Sequence, residues 1–423
     1  MKVKLWNHYV GAVIWNSSTD RAVFEYDKSF LNLGLDISPI HMPIHNPRKF
    51  SFANLSNDTF HGLSGLLADS LPDAYGTLLL DKWLAMNNRS VVNSLERLCY
   101  QGKRCMGALE FEPAENMFSN KSESIEISSL VDIAKQITKD REGFTVNFND
   151  DALSDSVKQV ISVGTSAGGA RAKAVIAYNE ETKDVRSGQV DAPKGYEHWL
   201  LKIDGVTNNE LGDPKYYGVI EYIYYLIACD AGIEMMESQL LRENNRAHFM
   251  TKRFDRVGNS EKLHIQTLCG LAHYDYMLLR AYSYEQLFQV MRDLKLPYSD
   301  AEQMFRRMVF NVVLRNQDDH TKNVSFIMNR KGRWSLSPAY DITWAYSPKG
   351  EWTSKHQMSI NDKWEDFNRY DFVSFAKKMN IKNPLEIIEQ VTHSASQWNR
   401  LAQENELPMD LAQRLYSQFV MDI

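Results

Sequence analysis

The stretch Asn316-Gln317-Asp318-Asp319-His320-Thr321-Lys322-Asn323 decides how this chain is read. It follows an apolar, helix-like segment that ends near Leu314. Two short apolar runs come after it, Val324 to Met328 and Arg333 to Leu336, with Lys331-Gly332 placed as the turn of a hairpin; Tyr340-Asp341 stands beyond them. Two carboxylates, a histidine, a lysine and an asparagine packed this closely are the inventory that phosphoryl transfer needs. One carboxylate orients or deprotonates the attacking hydroxyl, while an asparagine oxygen and a second carboxylate hold magnesium against the phosphates. Magnesium prefers hard oxygen ligands and keeps several waters, so two protein ligands suffice. The order Asp-x4-Asn, then a hairpin, then Asp is the order of the catalytic-loop Asp, its Asn and the metal-binding Asp in protein kinases. The His-Arg-Asp and Asp-Phe-Gly tripeptides are absent. By itself the cluster also reads as a solvated polar loop between a helix and a hairpin.

Upstream, Ser162-Val163-Gly164-Thr165-Ser166-Ala167-Gly168-Gly169-Ala170-Arg171-Ala172-Lys173 leads into an apolar strand, Lys173 to Tyr178. Glycines let backbone N–H groups approach phosphate oxygens, although a glycine-rich hairpin turn has the same composition. Lys202 sits inside the apolar run Trp199-Leu200-Leu201-Lys202-Ile203. A buried lysine there needs an anionic partner, and an ATP phosphate would serve; an edge-strand lysine facing water is the alternative. The run Phe249 to Phe254 offers backbone groups and an aromatic ring, Phe254, to an adenine. Glycine loop, strand lysine, helix, hinge-like strand, catalytic Asp/Asn and metal Asp follow one another in the linear order of a two-lobed kinase.

The 423 residues carry 48 Lys+Arg and 54 Asp+Glu, a net charge of -6, with 43% hydrophobic and 24% charged residues. This is globular composition, which excludes disorder, collagen or coiled coil as a global description. It also argues against a generic nucleic-acid-coating protein. Cys99, Cys105, Cys229 and Cys269 form no Cys-x-x-Cys pair, which fits a reducing compartment and no thiolate zinc site. No apolar run approaches the about 18 residues of a membrane helix. The start, MKVKLWNHYVGAVIW, has no apolar signal region, and the expected location is the cytoplasm.

Period-two alternation places Val3 and Leu5, then Val10, Ala12 and Ile14, on strands joined by a turn at Asn7-His8, within a strand-rich stretch running to about residue 50. Helical spacing over His61 to Asn87 is broken at Leu71-Pro72-Asp73. Residues 140–160 read as a polar linker and Glu181 to Gly195 as a loop, followed by a strand from His198 to Ile203. Val219, Ile223, Leu226 and Ile227 share a helix face ended by Gly232, and the chain from Tyr282 to Leu314 and from Tyr370 onward is helical. Strands early and helices late give an α+β class: a two-lobed kinase-like fold with a mixed β/α N-terminal lobe and a mostly helical C-terminal lobe. The expected divisions are 1–145, an ATP-binding part at 146–255 and a helical lobe at 256–423.

At this point the chain resembles the HipA-like serine/threonine kinases, toxin components of bacterial toxin–antitoxin systems. Ser166-Ala-Gly-Gly-Ala-Arg-Ala-Lys173 is similar to their Ser-x-x-Gly-Ala-x-x-Lys loop, and Arg253-Phe254-Asp255-Arg256 with His264-Ile-Gln266 to their Arg-Phe-Asp-Arg region. Asp318-Asp-His-Thr-Lys-Asn323 resembles Asp-Gly-His-x-Lys-Asn, and Pro338-Ala-Tyr-Asp341 resembles Pro-x-Tyr-Asp. Leu67-Ala-Asp-Ser-Leu-Pro-Asp73 and Cys105-Met-Gly-Ala108 resemble the family's N-terminal lobe.

The resemblance implies Asp318 as the catalytic residue and Asn323 and Asp341 as magnesium ligands. It implies ATP contacts from Ser166, Ala167, Gly168, Gly169, Ala170, Lys173, Lys202, Lys252, Phe254, His320 and Lys322, and inactivating autophosphorylation at Ser166. It further implies ATP and Mg2+ as cofactors and a HipB-like helix-turn-helix antitoxin through which DNA is met indirectly. The implied protein substrate is an aminoacyl-tRNA synthetase, glutamyl-tRNA synthetase first among them. Asp319 stands where the family has Gly, adding charge beside Asp318, and Arg171-Ala172 replaces Gln-Glu. Two other readings stay open: a metal-dependent phosphohydrolase using Asp318, His320 and Asp341, and a non-catalytic, antitoxin-binding corepressor module.

Overall fold

The computed structural model describes residues 1–86, 88–90, 93–114, 124–139, 172–189, 191–206, 216–258 and 261–423. The expected linker at 140–160 and the glycine-rich segment from Ser162 to Arg171 lie outside them. Two compact units are present. The first holds residues 1–37, 42–218 and 237–265, and the second 38–41, 219–236 and 266–423.

The first unit contains two antiparallel sheets. Strands β1 (Lys2–Leu5), β2 (His8–Asn16), β3 (Arg21–Tyr26) and β4 (Leu109–Glu112) are ordered β3-β2-β1-β4. The first hairpin turns at Trp6-Asn7, one residue earlier than expected. Leu5 pairs with His8, and Trp6 and Asn7 have φ of +49° and +68°, the signature of a type I′ turn. The expected alternation also fails in β2. Val3 pairs with Gly11 but Lys4 with Tyr9, so Val10 is the extra residue of a β-bulge. Val10 and Val13 therefore both face the core, whereas Ala12 and Ile14 face water, Ile14 at 62% exposure. After Tyr26 the strand-rich reading ends, in a helical turn at Lys28–Leu31 and loops.

The second sheet positions the strand lysines. It comprises β5 (Lys173–Tyr178), β6 (Val185–Ser187), β7 (Glu197–Lys202), β8 (Ser238–Glu243) and β9 (Arg246–Lys252), ordered β6-β5-β7-β9-β8. The segment read as a loop from Glu181 to Gly195 thus contains β6, and the strand expected at Phe249 to Phe254 begins and ends earlier. β8 joins β9 through Asn244-Asn245, both at positive φ, another type I′ turn. The helices Ala74–Met86 and Ile127–Lys139 place Tyr75, Leu79, Leu130, Val131 and Ala134 in one buried cluster with Ala174, Ile176, Trp199, Leu201 and Met250. This two-layer arrangement buries the apolar face of the sheet.

The second unit is mostly helical. Its helices include Tyr284–Asp293, Tyr298–Val313, Arg369–Met379, Pro384–Ser396, Trp398–Glu404 and Met409–Tyr416. Ring contacts of Tyr224 with Phe310 at 6.1 Å and Trp398 at 5.6 Å, and of Trp398 with Phe419 at 5.3 Å, lie at its centre. The helix Tyr217–Asp230 ends as expected, with Gly232 at φ +77°. The hairpin of Ser325–Met328 with Trp334–Leu336 forms in register, Phe326 opposite Leu336. Among the described residues, no helix is long and apolar enough to cross a membrane.

Candidate active site

The loop from Asn316 to Asn323 is launched by the end of the helix Tyr298–Val313. Arg315 takes φ +57°, and the Asn316 N–H donates back to the Asn311 carbonyl at 2.9 Å, closing the helix. The Asn323 Nδ2 donates to the Asp318 carbonyl at 2.7 Å. That bond folds the loop on itself and leaves the Asn323 amide oxygen as the group's acceptor. His320 Nε2 lies 3.7 Å from Asp318 Oδ1, and His320 Nδ1 accepts the Lys322 N–H at 3.2 Å. Lys322 Nζ lies 4.5 Å from the Tyr276 ring centroid.

Tyr340 brings Asp341 to this loop. Its hydroxyl donates to the Lys322 carbonyl at 2.7 Å and so accepts from Ser325 Oγ at 2.5 Å. The Ala339 N–H donates to the Glu234 carbonyl at 2.8 Å, and Asp341 follows at φ +52°, a conformation an Asp tolerates better than most residues. Asn323 and Asp341 line one cavity of about 20 Å³ with Tyr284, Arg307, Asn311, Asn316 and Asp319. Their side-chain oxygens are hard donors, the chemistry magnesium takes. Among the described residues no group of three or more His, Cys, Asp or Glu side chains forms a metal cage; a phosphate-bridging magnesium needs only one or two carboxylates besides waters and phosphate oxygens.

Asp319, the carboxylate that follows Asp318, is turned into the interior. It is 4% exposed, whereas the Asp318 side chain is 46% exposed. Asp319 Oδ1 accepts the Gln357 N–H at 2.7 Å, and Oδ2 accepts the Tyr284 hydroxyl at 2.8 Å and His356 Nδ1 at 2.9 Å. Burial, and then the Asp319 charge, push the Tyr284 phenol well above its ordinary range, so it remains a donor. Nothing in the primary sequence marks this residue as buried.

The other expected ATP contacts belong to the first unit. Lys173 and Lys202 face each other across β5 and β7. Lys173 is buried, with Nζ 3.6 Å from Asp73, whose carboxylate also caps the helix Ala74–Met86 through the Gly76 N–H at 2.6 Å. Asp73 belongs to the Leu71-Pro72-Asp73 bend, and nothing in the sequence ties it to Lys173 about 100 residues later. Lys202 is half-buried, its Nζ 5.9 Å from the Phe249 ring centroid. Lys252 reaches Glu197 at 2.7 Å and Glu237 at 2.6 Å. Burial would lower its ammonium pKa, but these two carboxylates outweigh it and hold the value above the ordinary one. Phe254 is half-buried after β9. Ser166, Ala167, Gly168, Gly169 and Ala170 lie outside the described residues.

The Arg253-Phe254-Asp255-Arg256 motif forms a buried ionic centre. Arg253 Nε and Nη2 donate to the two Asp255 oxygens at 2.8 and 2.6 Å, and Arg256 Nη1 donates to Oδ2 at 2.5 Å. Arg256 also donates to the carbonyls of Cys105 and Gly107. Burial raises the Asp255 carboxyl, but Arg253 and Arg256 overcome it and hold it far below the usual range.

A β-rich unit with strand lysines and a helical unit with an Asp/Asn loop and a following metal-type Asp define an α+β, two-lobed kinase-like fold. The chain belongs to the HipA-like family: residues 165–398 match the HipA-like C-terminal domain and residues 1–112 the HipA N-terminal domain. The fold is similar to that of HipA of Shewanella oneidensis MR-1, solved in the complex of its toxin–antitoxin system with HipB and operator DNA. Identity is 16%, the TM-score is 0.65, and 99% of this chain and 95% of that chain are covered. The Helicobacter pylori proinflammatory kinase CtkA is also similar, at 13% identity and a TM-score of 0.38 over 60% of this chain and 90% of that one. No curated protein matches the chain by sequence.

Proposed function

We propose that this protein is an ATP- and Mg2+-dependent serine/threonine protein kinase acting as the toxin of a toxin–antitoxin system in the cytoplasm. The observation that carries the reading is the placement of Asn323 and Asp341 on one cavity, with Asn323 bonded to the Asp318 backbone. Asp318 is exposed enough to meet a substrate hydroxyl, and in this reading it would orient that hydroxyl and accept its proton as the oxygen attacks the γ-phosphorus and ADP departs. Asn323 and Asp341 would hold magnesium, which supplies charge neutralisation at the β- and γ-phosphates. Lys202, and Lys173 beside it, supply cationic groups for the phosphates. Lys252 and Phe254 are the proposed adenine contacts, and His320 and Lys322 the proposed contacts to the transferred phosphate.

The family assignment supports a HipB-like helix-turn-helix antitoxin as partner, with DNA contacted through it. An aminoacyl-tRNA synthetase, glutamyl-tRNA synthetase first, is the proposed substrate. A phosphoserine beside a synthetase's ATP site adds about -1.5 to -2 charge where ATP phosphates must bind, which halts aminoacylation. The same charge on Ser166 would expel the glycine-rich loop from ATP and inactivate the kinase.

The test is transfer of labelled phosphate from ATP-Mg2+ to purified synthetases and to the protein itself. Asp318→Ala is expected to abolish both while the unfolding temperature stays unchanged, since a half-exposed loop carboxylate contributes little packing. Label on Ser166, located by mass spectrometry, supports the self-inactivation. Free phosphate release without protein labelling would instead establish a phosphohydrolase. Neither activity, with antitoxin binding intact, would leave the corepressor reading.

A further inference from the structure

The catalytic-loop residues of the second unit are stitched to the segment that follows Asp341. The Ala345 N–H donates to the Arg315 carbonyl at 3.1 Å, and the Gln317 N–H donates to the Ala345 carbonyl at 3.2 Å. Further along, Asp319 grips residues 356 and 357. A continuous hydrogen-bond chain extends behind it: Asn316 Nδ2 to Asn311 Oδ1 at 2.9 Å, Asn311 Nδ2 to the Tyr284 hydroxyl at 3.1 Å, and the Tyr284 hydroxyl to Asp319 at 2.8 Å. Asn311, Asn316, Asp319, Tyr284 and His356 are all buried.

A buried carboxylate is costly unless its oxygens are satisfied. Asp319 has three donors from two separate segments, and a satisfied buried polar network holds one arrangement rigidly. In protein kinases the segment after the metal-binding Asp is commonly ordered by phosphorylation, through new Arg–phosphate pairs. Here the anchoring anion is part of the chain itself, at the position directly after Asp318. Any movement of residues 356–357 pulls on that neighbour.

We infer that Asp319 is a positioning residue for phosphotransfer: through Tyr284, His356 and the Gln357 N–H it fixes Asp318 and the segment 342–357 in one arrangement, with no phosphate on that segment. The inference rests on the kinase reading for its catalytic half and on hydrogen bonding alone for its structural half.

The experiment compares wild type, Asp319→Asn and Tyr284→Phe, by steady-state kinetics and by amide hydrogen exchange. Asp319→Asn turns a donor toward Tyr284 and His356. It is expected to lower kcat about 10- to 100-fold, the scale of a small misplacement of a catalytic group. KM for ATP is expected to change less than about two-fold, because the ATP-contacting side chains are untouched. Tyr284→Phe is expected to give the same split more weakly, and serves if Asp319→Asn does not fold. Exchange is expected to quicken in 316–323 and 353–358 together. A kcat within two-fold of wild type in a folded variant, faster exchange in only one segment, or activity that requires phosphate on Thr343, Ser347, Thr353 or Ser354 would overturn the inference. If wild type transfers no phosphate, the kinase reading fails, and the exchange data alone decide whether Asp319 couples the two segments.

Discussion

The Gly107 N–H donates to Asp255 Oδ2 at 2.8 Å across 148 residues of sequence. This bond joins Cys105-Met-Gly-Ala108 to Arg253-Phe254-Asp255-Arg256, two motifs that look unrelated along the chain. Gly107 takes φ +75°, and a Cβ there would meet the Ile265 N at 3.2 Å, so glycine is needed both for the turn and for the approach. Removing the Asp255 carboxylate would strand two buried guanidinium groups. Asp255→Ala should therefore destabilise the protein by about 3–5 kcal/mol, the cost of breaking a buried ion pair from one side. Urea unfolding measures it; a loss below about 1 kcal/mol would mean that water or other groups take over both arginines.

Tyr340→Phe removes the bonds to Lys322 and Ser325 without changing ring volume. Stability should fall by about 1–3 kcal/mol as the Lys322 carbonyl and Ser325 hydroxyl lose their partner. The Mg2+ concentration needed for half-maximal phosphotransfer should rise, because Asp341 is held to the loop through this hydroxyl. A magnesium titration beside an unfolding curve separates the two effects.

His264 gives the first unit a pH dependence. Its Nε2 meets the Ile37 carbonyl at 2.9 Å, and burial, opposed by that bond, pushes the ring down to about 4. In the unfolded chain the pKa is about 6.5. The unfolded state thus binds the extra proton first as pH falls. The stabilisation is fully present above about 6.5 and is lost progressively toward about 4, on the order of 3 kcal/mol in all. Melting temperatures of wild type and His264→Gln across pH 4 to 7 should diverge in slope, with the variant flatter; parallel curves would show that the ring does not titrate differently on folding.

Gly218 lies at the start of the helix Tyr217–Asp230, where a Cβ would sit 2.1 Å from the Ala247 carbonyl oxygen. Gly218→Ala should cost about 1–3 kcal/mol by overpacking against β9 backbone. Ala is normally the better helix former, so the expected sign is opposite to propensity. Thermal melting decides it.

The proximity of the Asp/Asn cluster was the most legible part of the chain. Asp318, Asn323 and Asp341 lie on one loop and the strand-exit turn after its hairpin, so local order in sequence carries their proximity. Partnerships formed across long separations left no local trace. Lys173 with Asp73, and Gly107 with Asp255, became visible only once sheets and helices had been assembled. The burial of Asp319 left no local trace either, because the donors that satisfy it come from Tyr284 and from residues 356–357. β6 and β8 were missed because they are short or polar edge strands whose side chains give little alternation. The alternation in β2 misled because one inserted residue reverses the inward face.

That inserted residue shows where the N-terminal sheet can change length. Val10 has no opposite number on β1, so a chain lacking it would keep Lys4 beside Tyr9 and Val3 beside Gly11, and would forfeit one buried valine and the bond its carbonyl accepts from the Asp27 N–H. A chain lacking Ala12 instead would shift Val13 into the outward position and bring Ile14 inward, reversing every later residue of the strand. Natural variants that shorten this strand by one residue should therefore carry their gap at position 10, the one place where a deletion leaves the inward face of the strand unchanged.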